Sequence, residues 1–195
     1  MTLFLLLLAS YLIGAIPSGV ILTRLFGDAD VRKSGSGNIG ATNVYRVAGR
    51  KLGVLTLVGD CLKGVLPVLL AARVFELAEP QIALVALAAF LGHCYPVYLG
   101  FKGGKGVATA LGIFLVLSPL SILCVLGIFA AVLYLWRFIS LASITAAASV
   151  PLLVFFFERS TPLVVAALII AGIVIWRHHE NIGRLRSGTE NRFNL

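Results

Sequence analysis

Seven apolar runs, near residues 3–23, 54–74, 81–99, 103–117, 120–136, 139–157 and 161–177, are joined by polar connectors, the longest being 24–53, that hold most of the charge. Each run approaches the ~20 residues that a helix needs to cross a hydrocarbon core, and in lipid a helix satisfies its backbone hydrogen bonds within one segment. The pattern predicts an all-α integral membrane protein, a seven-transmembrane-helix bundle that forms one domain over residues 1–195. Composition excludes an ordinary soluble domain, because 59% of the residues are hydrophobic, 12% are charged and the mean hydropathy is +1.02. The first run is too long for a secretion signal and has no basic residue before it, so it reads as the first span.

The fourth run is the weakest. Val107 to Leu117 covers only about 16 Å at ~1.5 Å per residue, so this span either recruits the glycine-lysine turn before it or remains short.

Charge sets the orientation. With a turn at Ser118-Pro-Leu-Ser121, every lysine and arginine falls on one side except Lys63, inside the second run, and Arg73 and Arg159. The positive-inside rule then puts the N-terminus outside and the C-terminus in the cytoplasm. Merging the fourth and fifth runs spreads the basic residues more evenly over the two sides. The net charge of +8 is not a nucleic-acid face, since no polar domain carries one. Cys61, Cys94 and Cys124 lie in apolar stretches and read as small buried hydrophobes without a disulfide framework.

Three polar segments on the cytoplasmic side are unlike simple connectors. The first, Ser34-Gly-Ser-Gly-Asn-Ile-Gly-Ala-Thr-Asn43, is followed by Arg46. Gly37, Asn38 and Gly40 give little bulk, Ser36, Thr42 and Asn43 are neutral donors, and Arg46 is a bidentate fork, a combination suited to an anion. A flexible polar linker fits the same composition equally well.

The second segment runs from Gly92-His93 through Pro96 to Phe101-Lys-Gly-Gly-Lys-Gly-Val-Ala-Thr109. Lys102 and Lys105 lie among Gly103, Gly104 and Gly106 just before an apolar helix, where glycines admit a phosphate, a helix start attracts it and lysine adds full charge. It is no nucleotide P-loop: Gly106 stands where a Ser or Thr must hold magnesium, and Leu99 where the first glycine belongs. The plainer alternative is a basic loop that fixes topology.

The third segment is the tail from Arg177 to Glu190. A helix continuing past Trp176 aligns His178 with Asn181, and Asn181 with Arg184, at i, i+3. An interfacial helix end with snorkelling arginines is the bland counterpart.

Polar groups inside spans are costly and therefore informative. Asp60 and Lys63, one turn apart, predict a buried ion pair, structural or functional with equal force. Ser140 and Ser143 offer hydroxyls near the cytoplasmic end of their run, although helix packing suits them better. Metal binding is disfavoured because His178-His179 and His93-Cys94 are adjacent pairs that diverge by about 100° on a helix.

Ser36 to Asn43 with Arg46, Gly92-His93 with Phe101 to Thr109, and His178 with Asn181, Arg184, Gly188 and Glu190 resemble the three signature segments of the PlsY family, the bacterial acyl-phosphate-dependent glycerol-3-phosphate acyltransferases. Gly59-Asp60 with Lys63-Gly64, and Gly14 to Pro17, extend the likeness over most of the chain. The resemblance implies transfer of a fatty acyl group from acyl phosphate to the 1-hydroxyl of glycerol 3-phosphate, giving lysophosphatidic acid and phosphate. It implies a multi-pass protein of the bacterial inner membrane, with its active site on the cytoplasmic side.

On that reading His178, Ser36, Arg46, Lys105 and Asn181 are catalytic. Gly37, Asn38, Gly40, Thr42, Asn43, Lys102, Gly103, Gly104, Gly106, Arg184 and Ser143 bind the phosphates, and Asp60, Lys63, His93 and Glu190 support them. No cofactor, metal or obligatory protein partner is expected beyond substrates and membrane lipid. The competing reading is a transporter of a phosphorylated solute. It is disfavoured because no inverted repeat is visible and the polar signatures cluster on one side.

Overall fold

The computed structural model describes residues 2–27 and 30–193, and every regular element among them is helical. The helices are α1 (Thr2–Ala15), α2 (Ser18–Phe26), α3 (Ala41–Arg73), α4 (Glu79–Cys94), α5 (Val107–Leu117), α6 (Pro119–Trp136), α7 (Ile139–Glu158), α8 (Thr161–Arg177) and α9 (His179–Arg186). Four helices are long and apolar enough to cross a membrane, or six if α1 with α2 and α8 with α9 each count as one bent span; α5 is a shorter apolar helix. The glycine-lysine turn stays outside α5, so the fourth run keeps its short helix.

The first expected span, 3–23, is broken at Ile16-Pro17, where α1 and α2 meet at 42°. Proline has no N–H to continue the ladder and restrains the residue before it. The second, 54–74, is the end of a longer helix: α3 starts at Ala41, so Thr42, Asn43 and Arg46 sit on its first turns rather than in a loop. Gly49 kinks it, with φ 86° and ψ 172°, a conformation that glycine adopts without steric cost.

The chain forms two compact units, one ending at Val116 and one starting at Leu117. In the first, α1 packs on α4, and α3 on α2 and α4. Small residues permit these approaches: a Cβ on Gly14 would overlap the Ala89 backbone, and one on Gly92 the Tyr11 carbonyl. In the second, α6, α7 and α8 pack in sequence around corners at Arg137 (φ 60°) and Arg159 (φ 51°). Large side chains such as Leu123, Tyr134 and Phe156 point outwards, which suits a surface facing lipid. Three buried hydroxyls return to their own helix: Ser10 donates to Leu6 O, Thr23 to Gly19 O and Thr56 to Leu52 O.

Candidate active site

In the N-terminal unit the segment before α3 is organised by Asn43, which is 2% exposed. Its Nδ2 donates to the carbonyls of Val31 (2.8 Å), Asn38 (2.8 Å) and Ser34 (3.1 Å), and its Oδ1 accepts the Ser36 N–H at 2.8 Å. The amide expected to meet an anion is thus engaged by the loop's own backbone, and Asn43 shapes the loop. Asn38 Oδ1 likewise accepts the Gly40 N–H at 2.9 Å. Ser36, Gly37 and Arg46 are exposed, and Thr42 is half-buried. Arg32 grips Asp30 with two N–H groups, at 2.9 and 2.8 Å, and that fork holds the Asp30 carboxyl well below the usual carboxylate range.

Beneath this loop Val20, Val31, Ile39, Val44 and Leu52 form a buried apolar cluster, and Leu99 packs against it. Leu99 opens the glycine-lysine turn. The two signature segments are therefore anchored on one core.

The turn itself lies flush on the end of α4. Gly104 N donates to His93 O at 3.2 Å. A Cβ on Gly103 would overlap His93 O, and one on Gly104 the His93 imidazole at Nε2. Gly106, at φ 83°, faces the Phe90 ring. These glycines are needed for contact with α4, and the Gly104 N–H belongs to His93 instead of an anion cradle. Lys105 is half-buried between the buried Gly104 and Gly106, whereas Lys102 is exposed.

Behind the turn the expected ion pair is present and has a third member. Lys63 Nζ lies 2.9 Å from Asp60 Oδ1 and donates to Ile16 O at 2.8 Å, at the break between α1 and α2. His93 Nδ1 lies 3.8 Å from the same carboxylate oxygen. All three side chains are 5% exposed or less.

The C-terminal unit carries the other cluster. The helix runs one residue past Trp176 and ends at Arg177, and α9 leaves at 54° with His178 at the junction, so the alignment of His178 with Asn181 on one continuous helix is broken, whereas Asn181 and Arg184 remain at i, i+3 on α9. His178 Nδ1 donates to Val174 O at 2.7 Å. A carbonyl only accepts, so in the neutral ring Nδ1 carries the proton and Nε2 is the basic nitrogen. Glu190 folds back to collect three donors: Ser140 Oγ and Asn181 Nδ2 reach Oε1 at 2.6 Å each, and Arg184 Nε reaches Oε2 at 2.7 Å. Burial alone raises the Glu190 pKa, but the hydrogen bonds from Ser140, Arg184 and Asn181 together bring it below its ordinary value.

Ser143, a sequence candidate, instead donates to Ile139 O at 2.8 Å, and Ser140 takes the role near the cluster. Arg184 also lies 4.0 Å from Glu180. The tail is tied further by Phe193 N donating to Arg137 O at 2.6 Å and by Arg192 over the Phe138 ring. No group of three or more His, Cys, Asp or Glu able to hold a metal ion exists among the described residues.

The family model described as glycerol-3-phosphate acyltransferase matches residues 4–188. A glycerol-3-phosphate acyltransferase of Syntrophotalea carbinolica is 64% identical over 190 residues, 97% of each chain. One from Geobacter sulfurreducens is 59% identical over 184 residues, 94% of each chain. The crystal structure of PlsY (YgiH), an integral membrane glycerol 3-phosphate acyltransferase, in its glycerol 3-phosphate form is 42% identical with a TM-score of 0.95, covering 100% of this chain and 96% of that one. Its lysophosphatidic acid form is 41% identical with a TM-score of 0.92 and the same coverage. With the apolar helices, this makes the chain an all-helical, multi-pass membrane protein. It belongs to the glycerol-3-phosphate acyltransferase family.

Proposed function

We propose that this chain transfers a fatty acyl group from acyl phosphate to the 1-hydroxyl of glycerol 3-phosphate, giving lysophosphatidic acid and phosphate. The observation that carries the reading is the full-length likeness to an enzyme solved in a glycerol 3-phosphate form and a lysophosphatidic acid form. Those molecules are the acceptor before and after acylation.

Acyl phosphate is a mixed anhydride and already activated, so alignment, charge stabilisation and proton removal suffice without a covalent enzyme intermediate. The glycerol oxygen attacks the carbonyl carbon, the carbon–oxygen bond to phosphate breaks, and phosphate departs with that electron pair. Lys105 supplies charge to a substrate phosphate at the glycine turn. Ser36 and Arg46, exposed beside the Asn43-pinned loop, serve the reacting phosphate and carbonyl. The resemblance also assigns Asn181, which Glu190 orients, to the reacting groups. His178 orients the hydroxyl through Nε2. The proton passes to that nitrogen or to a substrate phosphate oxygen, whose second pKa lies near 6.

The charge distribution supports seven spans, with α5 crossing as a short helix, the N-terminus outside and the C-terminus in the cytoplasm. The reaction then takes place on the cytoplasmic face of the bacterial inner membrane, with lipid as the surroundings and no obligatory protein partner. Purified protein supplied with palmitoyl phosphate and glycerol 3-phosphate tests the proposal. Lysophosphatidic acid forms if it holds, and an unchanged acceptor overturns it.

A further inference from the structure

We infer that Asp60 and Lys63 are positioning residues for the phosphate subsite at Lys105, acting through His93; the inference rests on the acyl-transfer reading above. An ion pair inside a membrane bundle is costly, and apolar residues of similar volume often replace a buried pair without loss of stability. Packing alone therefore does not account for these two charges.

Their surroundings do. Asp60 Oδ1 holds Lys63 Nζ at 2.9 Å and lies 3.8 Å from His93 Nδ1. On the far side of the same imidazole, Nε2 occupies the space a Gly104 side chain would need, and the His93 carbonyl accepts the Gly104 N–H. Any shift of His93 is therefore transmitted to Gly104 and to its neighbour Lys105.

The same stretch of α3 holds the other end of the turn. A Cβ on Gly64 would overlap the Thr109 carbonyl, and one on Gly112 the Cys61 carbonyl, so α5 lies directly against residues 61–65. Lys63 also joins this stretch to the α1–α2 break through Ile16 O. The turn thus runs between two groups that abut the same stretch of α3, His93 before it and α5 after it. Removing the charges releases the first and leaves the second.

The test is steady-state kinetics on purified Asp60→Leu/Lys63→Met, which replaces both charges by apolar groups and leaves no unpaired ion, beside Lys105→Met. The expected result is a rise of about tenfold or more in KM for whichever substrate Lys105→Met also affects, with a smaller change in kcat and a melting temperature near native. A structural pair predicts a lower melting temperature with native KM in the folded protein. Native KM in the folded double variant overturns the inference. If that variant does not fold, His93→Gln decides, since it leaves α3 and its ion pair in place: the same rise in KM supports the inference and a native KM overturns it. Loss of fold in both variants also overturns it, because the network then serves the fold. A native sequence that transfers no acyl group removes the parent reading, whereas an active native enzyme with unaffected variants sinks this inference alone.

Discussion

Substituting Gly104 by alanine adds one methyl group at the most crowded point of the glycine turn. The new Cβ would fall on His93 Nε2, where van der Waals contact requires about 3.4 Å, so about 1 Å or more of displacement is forced. The imidazole has little room to retreat, because Asp60 Oδ1 stands 3.8 Å from its other nitrogen. Gly104 must move instead, straining its hydrogen bond to His93 O and carrying Lys105 away from the phosphate position proposed for it. A misplacement of ~1 Å costs up to 10²-fold in rate, equivalent to about 2.7 kcal/mol. The assay is kcat/KM of purified Gly104→Ala with palmitoyl phosphate and glycerol 3-phosphate. Gly127→Ala is the control, because nothing lies within 4 Å of its added Cβ on α6 and a helical alanine costs nothing in backbone entropy. Activity for Gly104→Ala within about twofold of native would refute the account of the turn.

Lys105→Ala should lower turnover by roughly 10²-fold with normal protein level and orientation, and Lys105→Arg should rescue poorly because a wide fork must fit beside Gly104 and Gly106; steady-state kinetics with a reporter fusion checks both. Glu190 has a depressed folded-state pKa, so its contribution to stability is present above the ordinary glutamate pKa of about 4.3 and is lost as pH falls through the folded value. Melting temperature should therefore drop on acidification below about pH 4.5, and Glu190→Gln should flatten that drop; identical profiles contradict the clasp. A reporter fused after Leu195, which lies outside the described residues, should be cytoplasmic, and one inserted between Ser118 and Pro119 external. A cytoplasmic signal at Ser118 contradicts the seven-span count.

The helical architecture was legible because the bilayer imposes a local rule, visible in each apolar run. Asp60 and Lys63 were legible for the same reason, being one turn apart on a helix. His93 was named only through the family resemblance, and its place beside Asp60 was not legible, since 33 residues separate the two and only the packing of α4 beside α3 joins them. The extension of α3 back to Ala41 was hidden because glycine- and amide-rich sequence reads as loop until Asn43 is seen fastening that loop. Ser140 and Ser143 are indistinguishable by local pattern. Glu190, reaching back from the tail, selects Ser140, while Ser143 turns to its own helix. The glycines of the turn were recognised, but their main contact is the end of α4, which no spacing in the sequence discloses.

The most direct measurement gives purified protein glycerol 3-phosphate with palmitoyl phosphate or palmitoyl-CoA as donor, in the presence of a chelator. The account predicts one lysophosphatidic acid and one phosphate for each palmitoyl phosphate consumed, and no comparable rate from the thioester. Equal rates from both donors, loss of activity on chelation, or release of free palmitate in place of lysophosphatidic acid would contradict it.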